Sequence, residues 1–587
     1  GRPYNAFVAR GNMGVPRKFS SRGYTVIPHD CLPWGEEPIE PDMYWAMGQQ
    51  ILRAARLCRK HPRLFPVYIT NFSCGPDSFL NGYFKSIMGS KPALVLELDS
   101  HTADAGLDTR VEAFLDVVHN YLETGARQES GGQGRLRVSR TALQGGKMWV
   151  QTAEGRQVAM DDPEVHLLIP SMGYPGAELL AAAFRYVGVR ASALPPAGER
   201  ELRLGQGYAS CKECLPLMLT LGSLMRYLED HPAGQEQLVY FMPVASGPCR
   251  FGQYSVLMRD YIAARGLQNV SLLSLSAENG YAGFGNRLAL RAWQAVVLAD
   301  VLEEIRSEML AAASDAAQAM AVFDSVCQRL AGALATQSWR HLRATLAAVA
   351  RTLKTVPRSV PPHQVPRVAL VGEIFARRDG FSRRHLVEWL AQRGIAARTA
   401  PVSEWLYYCD YLVKKGLAAD VGWGDRLQTA LQGPVKTAYE RQIKRLLAAS
   451  GWCQSQPLQL ARVVGPGARV VSPRLTGETI LTVGAALAEI IEEVAGVISL
   501  GPFGCMPSRM AQAIVAQRLG EVKPTVAREP ELVREVLERH PSLPFLAIET
   551  DGNAFPQVVE ARLEAFVLQV ERLHQTILAL RGGGHAG

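Results

Sequence analysis

Short apolar runs bounded by glycine and proline alternate along this chain with stretches in which apolar residues recur every three or four positions. That is the alternation of buried strands and amphipathic helices in an α/β protein. Residues 66–70 (PVYIT) and 93–98 (ALVLEL) read as strands in a first α/β domain over 1–125, and residues 25–31 (TVIPHDC) look strand-like. Glycine-rich alternating segments in 131–160 (GRLRVSR, KMWVQT) predict a β-hairpin excursion over 126–162. A second α/β domain over 163–285 follows, with strands at 165–170 (VHLLIP) and 238–243 and a helix at 179–186. Spacing of three and four in LALRAWQAVVLADVLEEI and WRHLRATLAAVARTL predicts a helical layer over 286–356. Pro357, Pro361, Pro362 and Pro366 cannot continue a helix, so a boundary falls there. A third α/β domain, 366–578, opens with the strand 368–374 (VALVGEI), and residues 579–587 read as a disordered tail. The expected fold class is α/β, with several flavodoxin-like or Rossmann-like parallel-sheet domains.

An internal repeat sharpens this picture. Pro92-x4-Glu97-x-Asp99-x10-Arg110-x-Glu112-Ala113-Phe114 recurs with identical spacing as Pro544-x4-Glu549-x-Asp551-x10-Arg562-x-Glu564-Ala565-Phe566. Upstream of each copy a strand runs into a cysteine turn, VYITNFSCGPD in one and GVISLGPFGCMPSR in the other. The order strand, cysteine turn, strand, acidic loop, helix is therefore present twice, which predicts two related domains. In open α/β sheets ligands bind beyond the carboxyl ends of the strands, where both cysteine turns and both acidic loops fall.

Composition removes several function classes. No stretch of the 587 residues approaches the roughly 20 apolar residues of a membrane span. The first thirty lack the basic-then-apolar order of a signal peptide, so a soluble, cytoplasmic protein is expected. The chain begins Gly1-Arg2-Pro3-Tyr4 rather than with methionine, which reads as part of a longer product. A net charge of +8 is modest for this length and is scattered, without a basic run or basic-aromatic stripe, so nucleic acid is not an expected partner. Ten cysteines in a reducing compartment are buried thiols, catalytic groups or metal ligands rather than a disulfide framework.

Their settings separate them. Cys74, Cys249 (in SGPCRFGQY) and Cys505 each sit in Gly/Pro turns. There Gly75, Gly247 and Gly504 allow backbone N–H groups to point at the sulfurs of an anionic cluster. Cys211 and Cys214 form a C-x2-C pair, a spacing that lets two thiolates reach one metal centre and that also fits zinc or a redox dithiol. Cys31, ending TVIPHDC, is a sixth candidate. Structural zinc wants four ligands in one small module, whereas these are dispersed over most of the chain, which favours iron–sulfur. Cys58 and Cys327 lie in helical patterns, and Cys409 and Cys453 lack such turns, so these four read as structural. Glu97, Asp99, Glu549 and Asp551 are candidates either to position protons or to cap the next helix, and His101 is a candidate proton donor.

The segments NFSCGPDSFL, LELDSHTADAGLDTRVEAFLD, CKECLP, SGPCRFGQY and GPFGCMPSR resemble the activase-type large members of the 2-hydroxyacyl-CoA dehydratase and double-cubane cluster protein family, over about residues 1–575. The resemblance implies flavodoxin-like domains around an iron–sulfur centre, either 4Fe-4S or a double cubane. It carries ligand roles to Cys74, Cys214, Cys249, Cys505 and Cys211, and has no counterpart of Cys31. It also implies low-potential electrons from an ATP-hydrolysing activator of the acetate kinase/actin-like type, acting in trans or from upstream sequence. This chain has neither a G-x4-GK[ST] loop nor a G-x-G-x-x-G fingerprint after a strand, so ATP hydrolysis is not expected on it. Two alternatives stay open: a dehydratase or reductase subunit that binds an acyl-CoA directly, and a zinc-stabilised scaffold that docks an ATPase.

Overall fold

The structure is a computed structural model of the chain; it describes all residues other than 72–73, 124–136, 145–146, 210–211, 232–235, 246–248, 276–284, 419–422 and 584–587. The fold is α/β, with three parallel sheets and one small antiparallel one. Strands β1 (Val67–Asn71) and β2 (Leu94–Leu98) form a two-stranded parallel sheet. Strands β3 (Arg140–Gln144), β4 (Lys147–Gln151) and β5 (Gln157–Ala159) form an antiparallel meander, one strand more than a hairpin. Strands β6 (Val165–Ile169), β7 (Ala191–Ala193), β8 (Gln237–Phe241) and β9 (Val270–Leu273) make a parallel sheet in the order β7-β6-β8-β9. The last sheet has β10 (Arg367–Gly372), β11 (Ala396–Thr399), β12 (Gly496–Pro502) and β13 (Phe545–Thr550) in the matching order β11-β10-β12-β13.

Strands β6 and β12 are buried along their whole length, which is why they read as near-continuous apolar runs broken only by His166 and Ser499, whereas β13 at a sheet edge alternates. In both four-stranded sheets the winding reverses next to the first strand, between β6 and β8 and between β10 and β12. That switch point is where α/β sheets open a crevice. The helices Gly285–Ala312, Ala316–Thr336 and Trp339–Lys354 form the layer between the second and third units. Their residues Leu298, Leu302 and Leu330 share one core with Leu167 and Phe184 of the second unit. Buried or half-buried ion pairs Arg383–Glu303 (2.7 Å), Arg378–Asp300 (3.3 Å) and Arg306–Glu388 (2.6 Å) join the same layer to the third unit.

The repeat is visible in the backbone. β1, the helix Gly75–Met88, β2 and the helix Asp104–Glu123 correspond to β12, the helix Met506–Val526, β13 and the helix Gln557–Gly583. Parallel neighbours need a crossover, so a helix follows each cysteine turn, an element missing from the order read in the sequence. Three other expectations are corrected. Residues 25–28 are irregular and His29–Cys31 is a 3₁₀ turn rather than a strand end. The helix Gln557–Gly583 runs through 579–583, where a disordered tail was expected, because Leu580 still packs on the third core. β10 stops at Gly372, so Glu373 begins a helix instead of continuing a strand.

Candidate metal centre

Every described cysteine expected to be a ligand, Cys31 apart, occupies the N-cap of a helix. Cys74 precedes Gly75–Met88, Cys214 precedes Leu215–Asp230 and Cys505 precedes Met506–Val526. Cys249 precedes the 3₁₀ turn Arg250–Gln253, which leads into Tyr254–Ala264. Three of the four are followed two residues later by proline, at Pro76, Pro216 and Pro507. Proline there loses nothing, since the first N–H groups of a helix have no partner within it. The repeated turns match closely. Cys74 and Cys505 have φ −72° with ψ 110° and 109°, and their N–H groups donate to Asn71 and Pro502 oxygens at 3.1 and 3.0 Å.

Cys214, Cys249 and Cys505 line one small cavity, together with Gly75, Pro76, Arg250, Tyr254, Glu373 and Gly504. The cysteine turns of the first and third units abut: a Cβ added at Gly75 would come within 3.3 Å of the Gly504 carbonyl oxygen. Gly504 itself has φ +69°, a conformation that favours glycine. Thus Gly75 and Gly504 fall at the site, and Cys211 and Gly247 lie outside the described residues. Cys74 stands one residue outside the lining, its Sγ 3.9 Å from the Tyr4 hydroxyl.

Arg250, the residue after Cys249 in SGPCRFGQY, carries no signal in the sequence that marks it as part of the site. It is buried, and its guanidinium donates to Ser78 Oγ of the first unit at 3.3 Å and to the Phe503 carbonyl of the third at 3.0 Å. Burial works against its charge, but the sulfur of Cys214, then Tyr254, Cys505 and Cys249, holds its pKa above the ordinary value. Tyr254 Oη lies 2.5 Å from Cys214 Sγ, and the Tyr44 hydroxyl donates to the Cys249 carbonyl. Burial pushes the Cys214 and Cys249 thiols up and the Cys505 thiol up to about 12. Glu373 lies inside the run VALVGEI, which reads as strand, but it is the N-cap of the helix Ile374–Arg378. Its carboxylate accepts from the N–H groups of Phe375 (3.2 Å) and Ala376 (2.8 Å), and burial raises its pKa.

The other predicted residues are engaged elsewhere. Cys31 is exposed. Glu97 pairs with Lys212, and Glu549 with Arg509 through contacts of 2.5 and 2.8 Å. Asp99 accepts from the His101 N–H and the Thr102 hydroxyl, both at 2.9 Å, and Asp551 accepts from Asn553 N–H at 3.0 Å. The His101 side chain is 89% exposed. None of these six lines the cysteine cavity, so proton transfer at the site is not theirs on this geometry. The carboxylates stabilise turns and surface pairs instead.

The donor set suits an anionic, thiolate-bound group. Three thiols meet a buried guanidinium and three helix starts, and an α-helix end carries about half a positive charge. Among the described residues no three His, Cys, Asp or Glu side chains are grouped to hold a single ion. The space enclosed is about 20 Å³, the room of one water, so seating a larger group moves the turns apart. No family model and no curated protein matches the chain.

Proposed function

We propose that this cavity seats an iron–sulfur cluster and that the protein is a low-potential redox component of the 2-hydroxyacyl-CoA dehydratase/activase type. The observation that carries the reading is the convergence of Cys214, Cys249 and Cys505, from distant parts of the chain, on a cavity crossed by Arg250. When bound, the cluster stores and passes single electrons. Cys214, Cys249 and Cys505 hold it, with Cys74 next to the lining and Cys211 as further candidate ligands. Arg250 offsets the negative charge that thiolate ligation brings, and Tyr254 donates to the Cys214 sulfur. An ATP-hydrolysing activator, in trans or in upstream sequence, supplies the electrons. Thiolate clusters of this kind suit the reducing cytoplasm.

Iron and acid-labile sulfide are to be quantified in protein purified without oxygen, with electron paramagnetic resonance after reduction. The expected protein is brown, with iron and sulfide present together. Cys249→Ser and Cys505→Ser lose at least half of the iron, while Cys58→Ser and Cys327→Ser keep it. A colourless protein with stoichiometric zinc, or equal iron in all four variants, overturns the reading.

A further inference from the structure

Beside the cysteine cavity lies a second pocket, of about 300 Å³, between the second and third units. The two share Cys249, Phe251, Tyr254, Glu373 and Pro507, so a molecule in the pocket rests against the walls of the proposed centre. Most of its other walls are apolar, among them Met172, Leu180, Phe241, Trp405 and Leu406, all only partly buried. Its volume is at the lower end of the roughly 300–1,000 Å³ of ligand sites, and domain interfaces are a common place for them.

The few charges on the walls are already engaged. Arg378 is paired in charge with Asp300 at 3.3 Å and donates from Nη2 to the Ala299 carbonyl at 3.2 Å, while its buried Nη1 makes no hydrogen bond. Glu373 takes the two N–H groups named above, and Glu478 accepts from Ile374 N–H at 3.1 Å. An anion entering the pocket faces two carboxyls, Glu373 and Glu478, and the guanidinium beside them, Arg378, is already neutralised by Asp300. A cation faces carboxyls already held by backbone donors and by the fields of Arg377 and Arg250. A charge of either sign would be desolvated against apolar walls without adequate compensation.

We propose that this pocket binds a compact, uncharged, largely apolar molecule, and that this is the substrate class of the neighbouring centre. The second clause rests on the redox reading; the binding itself does not.

Three probes of one shape test it on the full chain purified without oxygen: cyclohexanone, cyclohexanecarboxylate and cyclohexylammonium, followed by saturation-transfer NMR titration. Cyclohexanone is expected to bind at least tenfold more tightly than either charged probe. Leu180→Trp, which fills the pocket, is expected to weaken it at least tenfold. Ala177→Leu serves the same purpose should the first variant not fold. Iron is measured in the same samples. Neutral-selective binding to a chain that takes up no iron sinks the redox reading and leaves the pocket assignment standing. Iron-bearing protein that binds none of the probes, binds a charged probe as well as cyclohexanone, or binds undiminished in a folded pocket-filled variant overturns the assignment.

Discussion

A carboxyl deprived of water keeps its proton to higher pH than one at the surface, and the third unit buries several. Glu404 is pushed up from about 4.5 to about 8, first by burial, with Arg377 pulling it back and Glu489 and Asp300 adding to the rise. Between these two pH values the folded protein holds a proton that the unfolded chain has released. Stability therefore falls as pH rises through that window, and the loss is complete above it. One pKa unit corresponds to about 1.4 kcal/mol, so the effect is on the order of a few kcal/mol. Glu404→Gln removes the titration. Its melting temperature is expected to fall less than that of the parent between pH 5.5 and 8.5, and parallel melting curves would refute the assignment. Neither the burial of Glu404 nor the helix-starting role of Glu373 is legible in the sequence. A glutamate looks the same on a surface as beneath a helix, and only the end of β10 at Gly372 reveals what Glu373 does.

At the scale of elements, apolar runs were the clearest signal, because β6 and β12 are covered on both faces. The segment 25–31 misled for the converse reason: its short run of Val26 and Ile27 reads like a strand, but both side chains are exposed, so no core holds it in one. The Cys-x-Pro spacing at Cys74, Cys214 and Cys505 is a helix-start signal, and the Gly/Pro turns at Cys74 and Cys505 are the first turns of helices. Other ties between elements cannot be read locally. Lys523 and Glu492, both buried, meet at 2.5 Å. Lys523 also donates to the Leu487 carbonyl at 2.9 Å, while Glu492 accepts from the Arg528 and Glu529 N–H groups at 2.7 and 2.9 Å. Burial pulls the Lys523 pKa down. It also works against the Glu492 charge, but Lys523 and those N–H groups keep that carboxylate below its ordinary range. Removing one partner strands a buried charge, so Lys523→Met is expected to cost about 3–5 kcal/mol in urea unfolding. A cost of about 1 kcal/mol or less would mean that the pair is not holding these elements together.

Across the whole molecule, the repeat accounts for part of the candidate site: of its two cysteines Cys505 lines the cavity and Cys74 stands outside the lining, while Cys214 and Cys249 come from the second unit. The repeat predicted matching cysteine turns, and they meet where Gly75 approaches Gly504. What spacing within one strand of sequence could not supply is the residue that spans the units, since Ser78, Arg250 and Phe503 are brought together only by the packed sheets. Arg250 therefore has two separable tasks, a charge beside three sulfurs and a fork that ties the first and third units to the second. Arg250→Met removes both and is expected to lower iron per chain by at least half and to speed limited proteolysis of the folded protein. Arg250→Lys keeps the charge but not the planar fork, because an ammonium is a point charge on a flexible stem. It is expected to recover iron more fully than resistance to protease. If instead both variants match the parent in iron and in digestion rate, the guanidinium serves neither the centre nor the assembly, and the three-unit arrangement rests on apolar packing alone.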